Sequence, residues 1–262
     1  MKAPNLFILG AQKAGTTYLA RALANHPDVF FSEPKETFFF SKKKHWEQSD
    51  YEEYLSTYFA DAGDTPWRAE GSTTYLQWPK VRERFHRFLP EAPKMIICLR
   101  QPVDKAVSFY IHNWRRGRYA PGSTIQDASK LGVELSPYLT SLYAESIAAW
   151  MNGYPNDSFL FMKFDDLVED PKAFVRQATD FLGIDPMENV PSGQINAGLP
   201  LTFDGESLTV RRSENVPDAE LPRFTMQELS DLQDRFNYDL KRTELLTGLD
   251  LKIWYSLPKF AA

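Results

Sequence analysis

Near the start of the chain, residues 6–17 read Leu6-Phe7-Ile8-Leu9-Gly10-Ala11-Gln12-Lys13-Ala14-Gly15-Thr16-Thr17. Four apolar residues followed by glycine predict a short buried strand that ends in a turn. From Thr16 onward the apolar residues recur at helical spacing, until His26-Pro27 ends the pattern. A strand, a glycine-bearing loop and a helix in this order place backbone N–H groups and a helix dipole around one anion site.

The same alternation of strand and helix continues along the chain. Short apolar runs, each followed by a turn signal and a helical pattern, occur at Trp67 to Glu70, Met95 to Leu99 and Phe159 to Phe164. Strands that alternate with helices predict an α/β fold with a mostly parallel sheet flanked by helices. Residues 117–135 and 187–224 are rich in Gly, Pro, Ser and Asn, and we interpret both as loops.

Three helices carry clear sequence signals. Residues 102–114 show one apolar stripe after Pro102. Asp170-Pro171 predicts a helix start, and Gly183 predicts its end. Thr225 with Glu228 three residues later predicts a capping box at the start of a last helix.

Length and composition favour one globular domain over residues 1–262. Of the 262 residues, 43% are hydrophobic and 25% charged, which excludes collagen-like, coiled-coil and disordered chains. Apolar runs are too short for a membrane span of about 20 residues. The single cysteine, Cys98, allows no internal disulfide. We therefore expect a cytoplasmic protein without a membrane span.

Charge is unevenly distributed. The net charge of −5 argues against a general nucleic-acid binder. Residues 80–118, however, hold ten Lys or Arg and three acidic residues. This segment is either an anion site or a solvated helix face, and composition alone leaves both open.

The loop of residues 10–17 resembles a nucleotide phosphate loop with its lysine displaced. Such a loop reads Gly-x-x-x-x-Gly-Lys-Ser/Thr. Here Gly10 and Gly15 keep the spacing, but Thr16 replaces the lysine, and Lys13 stands three residues earlier. The loop is predicted to bind phosphate, with the ammonium group of Lys13 directed differently from the usual loop lysine. The alternative is an ordinary loop that only connects a strand to a helix.

A second anion site is predicted at the end of the run Met95 to Leu99. A magnesium-dependent enzyme would favour an aspartate near a strand end, but this chain has Arg100. Guanidinium groups bind phosphate in a bidentate manner. Ser108 lies off the apolar stripe of the next helix, so its hydroxyl could bind the same anion as Arg100. The alternative is that both residues are ordinary surface residues. Two phosphate sites suggest a nucleotide phosphorylated at both ends.

Seven motifs, spread over nearly the whole chain, carry a family resemblance. They are Gln12-Lys13-Ala14-Gly15-Thr16-Thr17, His26-Pro27-Asp28, Lys35-Glu36-Thr37-Phe38-Phe39-Phe40, Glu70-Gly71-Ser72 before Tyr75-Leu76, Arg100-Gln101-Pro102 through Ser108, Asp170-Pro171 with Phe181-Leu182-Gly183, and a terminal helix ending near Trp254. In this order they resemble the PAPS-dependent sulfotransferases, where PAPS is 3'-phosphoadenosine 5'-phosphosulfate. The resemblance is strongest to the glycan (heparan-type) sulfotransferases and their bacterial relatives.

The resemblance implies roles for particular residues. The 5'-phosphosulfate is assigned to the loop residues Lys13, Ala14, Gly15, Thr16 and Thr17. The 3'-phosphate is assigned to Arg100 and Ser108, with Arg211 and Arg212 as a further basic segment. The implied reaction moves a sulfuryl group from PAPS to an acceptor hydroxyl without a metal, and it leaves 3'-phosphoadenosine 5'-phosphate.

The resemblance also implies a catalytic base, Glu36, beside Lys13 as the catalytic cation. From the residues alone Glu36 could be a surface acid beside Pro34, with Glu33 and Glu70 equally available. His45 is a minor alternative base, and His112 could border the acceptor site.

One departure from the family concerns the acceptor. Several glycan sulfotransferases carry a lysine after the glutamate that matches Glu70, whereas this chain has Gly71. A heparan-like acceptor is therefore in doubt, and a smaller or less anionic alcohol is an alternative. Glycan, lipid, small-metabolite and carrier-bound alcohols all stay open.

Two rival functions can be stated. A magnesium-dependent nucleotide kinase or NTPase would use Asp165-Asp166, which follow an apolar run as metal-binding aspartates do. The same two residues are also explained as turn and cap residues. A catalytically silent nucleotide-binding module is the second rival.

Overall fold

The protein is described here by a computed structural model. It describes residues 2–42, 47–89, 91–192, 201–210 and 221–258. The chain divides into two compact units: Met1–Arg100 with Ala148–Ile195, and Gln101–Ile147 with Asn196–Ala262. One domain over residues 1–262 stays a prediction.

The first unit contains a five-stranded sheet in which all strand pairs are parallel. Its strands are β1 (Leu6–Gly10), β2 (Val29–Phe31), β3 (Trp67–Glu70), β4 (Lys94–Leu99) and β5 (Phe159–Lys163), in the order β2-β3-β1-β4-β5. Every residue of the central strand β1 is buried, as expected for a parallel sheet covered on both faces. The predicted α/β class and parallel sheet are confirmed.

The helices of the described residues are α1 (Thr16–Leu23), α2 (Gln48–Tyr58), α3 (Pro79–Phe88), α4 (Pro102–Trp114), α5 (Ile125–Ser129), α6 (Ala144–Met151), α7 (Phe164–Glu169), α8 (Pro171–Leu182) and α9 (Met226–Thr247). The four helices with stated sequence signals, α1, α4, α8 and α9, begin and end close to those signals. No helix within the described ranges is both long and apolar enough to cross a membrane.

The predicted helix caps are present. The Asp170 side chain accepts hydrogen bonds from the backbone N–H groups of Lys172 and Ala173, and Gly183 ends α8 at φ 66°. Thr225 and Glu228 form the reciprocal capping box of α9. These side chains satisfy N–H groups that lack an intrahelical acceptor.

The second unit is built on α4, α5, α9 and a small antiparallel sheet. The sheet contains β6 (Leu201–Phe203), β7 (Ser207–Val210) and β8 (Arg223–Thr225), in the order β6-β7-β8. Its buried Leu208 and Phe224 belong to the same apolar core as Val107 of α4 and Leu229 of α9.

The interpretation of 117–135 and 187–224 as loops was therefore wrong in part. The first range contains α5, and the second contains β6, β7 and β8. These elements have three to five residues each, too few to show a period above the Gly and Pro background. One hairpin signal was available, because Asp204-Gly205 connects β6 to β7 with Gly205 at φ 97°.

The cap at Asp170 gives a stability prediction. Asp170→Ala removes the acceptor of two backbone N–H groups, so the free energy of unfolding should fall by about 1 kcal/mol. Urea denaturation measures this loss. Asp180→Ala in the same helix is the matched control: its ion pair with Arg176 is exposed (64% and 68%), so it should change stability by less than about 0.5 kcal/mol. Equal effects of the two variants would contradict the capping role.

Candidate active site

The predicted site residues of the first unit lie on segments that leave one edge of the sheet. Lys13 follows β1, Glu36 follows β2, and Arg100 follows β4. Because the strands are parallel, their carboxyl ends meet at the same edge. The chain order reverses at β1, which pairs with both β3 and β4. Ligands of open α/β sheets bind at such a reversal.

The loop after β1 requires a glycine at position 15. Gly15 has φ 84°, in the left-handed region. A Cβ atom there would lie 2.7 Å from Leu167 Cδ2 and 3.1 Å from Phe164 Cδ2. The first distance is too short for two carbon atoms, so the first turn of α7 packs directly against the loop.

The start of α1 fits an anionic group. Gly15 is its N-cap residue, and within the described part of the chain no side chain caps this helix. The N–H groups of Tyr18 and Leu19 donate to the Gly15 carbonyl, at 3.0 and 3.2 Å. The N–H groups of Thr16 and Thr17 precede them and have no intrahelical acceptor. Donors of this kind, at the positive end of a helix dipole, suit a phosphate or sulfate oxygen.

The structure brings Arg100 to the same loop. Its Nη1 donates a hydrogen bond to the backbone carbonyl of Lys13 at 3.1 Å. Its guanidinium carbon lies 4.5 Å from the centroid of the Phe164 ring, a cation–π distance. Arg100 therefore joins the end of β4 to the loop after β1.

The remaining predicted residues are placed as follows. Ser108 lies in α4, in the second unit, and is half-buried, so its pairing with Arg100 stays a prediction. His112 lies in the last turn of α4. Arg211, Arg212 and His45 lie outside the described residues.

The Glu36 carboxylate is held by two neighbours that sequence reasoning did not select. Lys35 Nζ lies 3.1 Å from Glu36 Oε1. The Thr73 hydroxyl lies 3.3 Å from each carboxylate oxygen. The Glu36 side chain keeps 29% exposure, so it is both supported and accessible.

Glu70 and Glu33 differ sharply from Glu36 in their surroundings. Glu70 is fully buried, and its carboxylate accepts hydrogen bonds from Tyr54 and Ser72. Burial raises the pKa of Glu70, against the opposing effect of these hydrogen bonds. The Ser72 hydroxyl also accepts from the Phe38 N–H at 2.9 Å. Glu70 therefore supports the segment after Glu36 and is closed to an acceptor, whereas Glu33 is exposed.

The aspartates that suggested a metal site have structural partners. Asp165 and Asp166 lie in the first turn of α7. Asp166 accepts a hydrogen bond from Gln177 at 3.2 Å and pairs with Lys163 at 3.4 Å. The interpretation of the two residues as cap residues was wrong, because the N-cap residue of α7 is Lys163 and both aspartates lie inside the helix.

An uncapped helix start, an arginine at the end of a neighbouring strand and an accessible carboxylate lie on segments that leave one edge of the sheet, an arrangement that suits an enzyme of the group-transfer class. The Sulfotransferase domain family matches residues 3–196, and the chain belongs to this family. Enzymes of this family transfer a sulfuryl group from PAPS, so the predicted enzyme class is confirmed. The magnesium-dependent kinase alternative is set aside.

Curated relatives include two heparan sulfate enzymes. Heparan sulfate glucosamine 3-O-sulfotransferase 6 of Mus musculus is 27% identical, over 94% of this chain and 72% of its own length. Bifunctional heparan sulfate N-deacetylase/N-sulfotransferase 2 of Homo sapiens is 28% identical, over 72% of this chain and 23% of its own length.

Solved structures support the fold. The sulfotransferase from Alicyclobacillus acidocaldarius has a TM-score of 0.69 and 25% identity, covering 98% of this chain and 100% of its own. The sulfotransferase domain of the Synechococcus PCC 7002 olefin synthase shares the fold, with a TM-score of 0.52, 19% identity, and coverage of 91% and 96%.

The buried Glu70 predicts a pH dependence of stability. The pKa of Glu70 is higher in the folded protein than in the unfolded chain. The neutral carboxyl group therefore stabilises the fold fully at pH values below the unfolded pKa, and this contribution is lost as pH rises through the folded pKa. As pH rises above the pKa of the unfolded carboxyl group, the wild type should lose free energy of unfolding relative to Glu70→Gln, which cannot ionise. The slope is at most about 1.4 kcal/mol per pH unit. Urea denaturation at several pH values measures it, and a difference independent of pH would contradict the raised pKa.

Proposed function

We propose that this chain transfers the sulfuryl group of PAPS to an acceptor hydroxyl in line, without a metal, with Glu36 as the general base. The observation that carries the proposal is the common sheet edge from which the uncapped loop, Arg100 and the half-buried Glu36 carboxylate all extend. A bound nucleotide would contact the loop and Arg100, and an alcohol beside it would contact the Glu36 carboxylate.

The proposed nucleotide contacts combine the donors at this edge with residues that the family resemblance assigns. Lys13, with the loop residues Ala14, Gly15, Thr16 and Thr17, would hold the 5'-phosphosulfate. Arg100 and Ser108 would hold the 3'-phosphate, with Arg211 and Arg212 as a further basic segment. PAPS supplies an activated sulfuryl group when bound, and Lys13 would stabilise negative charge on the leaving phosphate oxygen.

Glu36 would accept the proton of the attacking hydroxyl. A base must reach that proton at hydrogen-bond distance, and the exposed fraction of Glu36 leaves room for an alcohol. Thr73 and Lys35 would keep the carboxylate in a fixed direction, which lowers the entropy lost on reaching the reacting geometry.

The acceptor is proposed as an alcohol of a glycan, lipid, small metabolite or carrier-bound chain. The curated relatives named above are heparan sulfate enzymes, but Gly71 argues for a less anionic acceptor here. Screening these four alcohol classes with sulfur-labelled PAPS, with a chelator present, tests the proposal. Label should appear in one class, whereas a strict need for magnesium and ATP would overturn the proposal.

The base gives the first activity prediction. Glu36→Gln should lower kcat by roughly 10²- to 10⁴-fold, the usual contribution of a positioned general base. Its affinity for adenosine 3',5'-bisphosphate should be unchanged. Sulfur-label transfer measures kcat, and Glu33→Gln is the control because Glu33 is exposed in the same segment. Near-normal turnover of Glu36→Gln would dismiss this base.

Arg100 gives a binding prediction. Hydrogen bonds to charged groups contribute about 1.5–3 kcal/mol, so Arg100→Ala should weaken binding of adenosine 3',5'-bisphosphate roughly 10- to 100-fold. Calorimetric titration measures the affinity. Arg176→Ala, at an exposed arginine, should bind normally, and unchanged affinity in Arg100→Ala would refute the assignment.

A further inference from the structure

We propose that Lys35 is a positioning residue that fixes the Glu36 carboxylate with one oxygen directed to the acceptor. This inference rests on the proposed function, because it gives Lys35 a role only through Glu36. Neither the motif nor the charge pattern had assigned Lys35 a task. Lys35, Glu36 and the residues that contact them all lie in the first unit.

The Lys35 ammonium group bridges two acceptors from different segments. Its Nζ donates to the Gly71 carbonyl at 2.8 Å and to Glu36 Oε1 at 3.1 Å. The carbonyl belongs to the segment that follows β3, and the Gly71 N–H in turn donates to the Lys35 carbonyl at 3.0 Å. The ammonium position is therefore fixed by backbone as well as by charge.

These contacts make the two oxygens of Glu36 unequal. Oε1 faces both the ammonium and the Thr73 hydroxyl, whereas Oε2 contacts the Thr73 hydroxyl alone among the described residues. The ammonium contact joins two opposite charges, whereas the hydroxyl contact involves the carboxylate charge alone, so Oε1 is the more strongly bound oxygen. Oε2 is then the oxygen that takes the acceptor proton. The alcohol O–H bond breaks, its oxygen bonds to sulfur, and the bond between sulfur and the 5'-phosphate oxygen of PAPS breaks, so that adenosine 3',5'-bisphosphate leaves.

The Lys35–Glu36 pair, like the Lys163–Asp166 pair, is less exposed than the surface ion pairs among the described residues. The Lys35 and Glu36 side chains are 19% and 29% exposed, whereas Lys130 and Asp127 are 77% and 55% exposed. Burial lowers the pKa of Lys35, and Glu36 opposes this by favouring the ammonium form. A half-buried pair is less screened by solvent and salt than an exposed one, so it can hold a side chain in one direction.

Lys35 occupies space beside Gly71 that a side chain at position 71 would need. A Cβ atom at position 71 would lie 3.0 Å from Lys35 Cε and 3.3 Å from Phe31 Cζ. Gly71 is not among the residues with positive φ, so its backbone does not require glycine. The path of the lysine toward Glu36 therefore takes part of the space that a side chain at position 71 would need.

The main test is a double-mutant cycle on kcat, with sulfur-labelled PAPS and the acceptor found in the screen. Lys35→Met should lower kcat roughly 10- to 100-fold, the effect of a displaced catalytic group. The affinity for adenosine 3',5'-bisphosphate and the melting temperature should stay close to wild type. In a Glu36→Gln background, Lys35→Met should lower kcat by less than roughly twofold, because residues that act as a unit are not additive. Lys35→Arg should restore part of kcat.

A second variant shifts the Lys35 side chain without removing its charge. In Gly71→Ala the lysine must give way by a few tenths of an ångström, so kcat should fall in the same direction as in Lys35→Met, by a smaller factor. Gly132→Ala is the matched control, because nothing lies within 4 Å of a Cβ atom there. Gly71→Ala also keeps the test decisive if Lys35→Met fails to fold.

The outcomes separate this inference from the proposed function. Wild-type kcat in Lys35→Met, with Glu36→Gln impaired, overturns the inference alone. An equal loss from Lys35→Met in both backgrounds also overturns it, because Lys35 would then act independently of Glu36. Full activity in Glu36→Gln overturns the proposed function and this inference together.

Discussion

The parallel alignment of the five strands is the constraint on which the site depends. Since each strand runs in the same direction, the segments that follow β1, β2, β3 and β4 all leave one edge. The central strand must then be apolar on both faces, as residues Leu6–Gly10 are. Polar and charged side chains that could act on a ligand are consequently confined to the residues that follow each strand. This explains why Lys13, Glu36, Thr73 and Arg100 occur where they do.

Charged and polar groups at this edge act on neighbouring segments as well as on a substrate. Arg100 donates to the carbonyl of Lys13, and Glu70 orders the segment after Glu36 through Ser72. Buried charges are tolerated only with such partners. The loops are therefore preorganised by the same kinds of interaction that would bind an anion.

The sequence predicted the regular elements well where local chemistry defines them. The strand at Trp67–Glu70 and the caps at Asp170 and Thr225 depend on residues close together in the chain. The contact of Thr73 with Glu36 joins segments 37 residues apart, and no pattern in one sequence reports such a pair. Likewise Lys35 lies inside a recognised motif, but only the structure shows that its side chain reaches Gly71. Strands of three residues, such as β2, are too short to display a period.

The contact between Gly15 and Leu167 has a consequence for biosynthesis. The loop after β1 is completed by a residue about 150 positions later in the chain. Non-local contacts of this kind form late and slow the search for the native state. A nascent chain emerging from the ribosome therefore cannot give this loop its final packing until α7 has been translated.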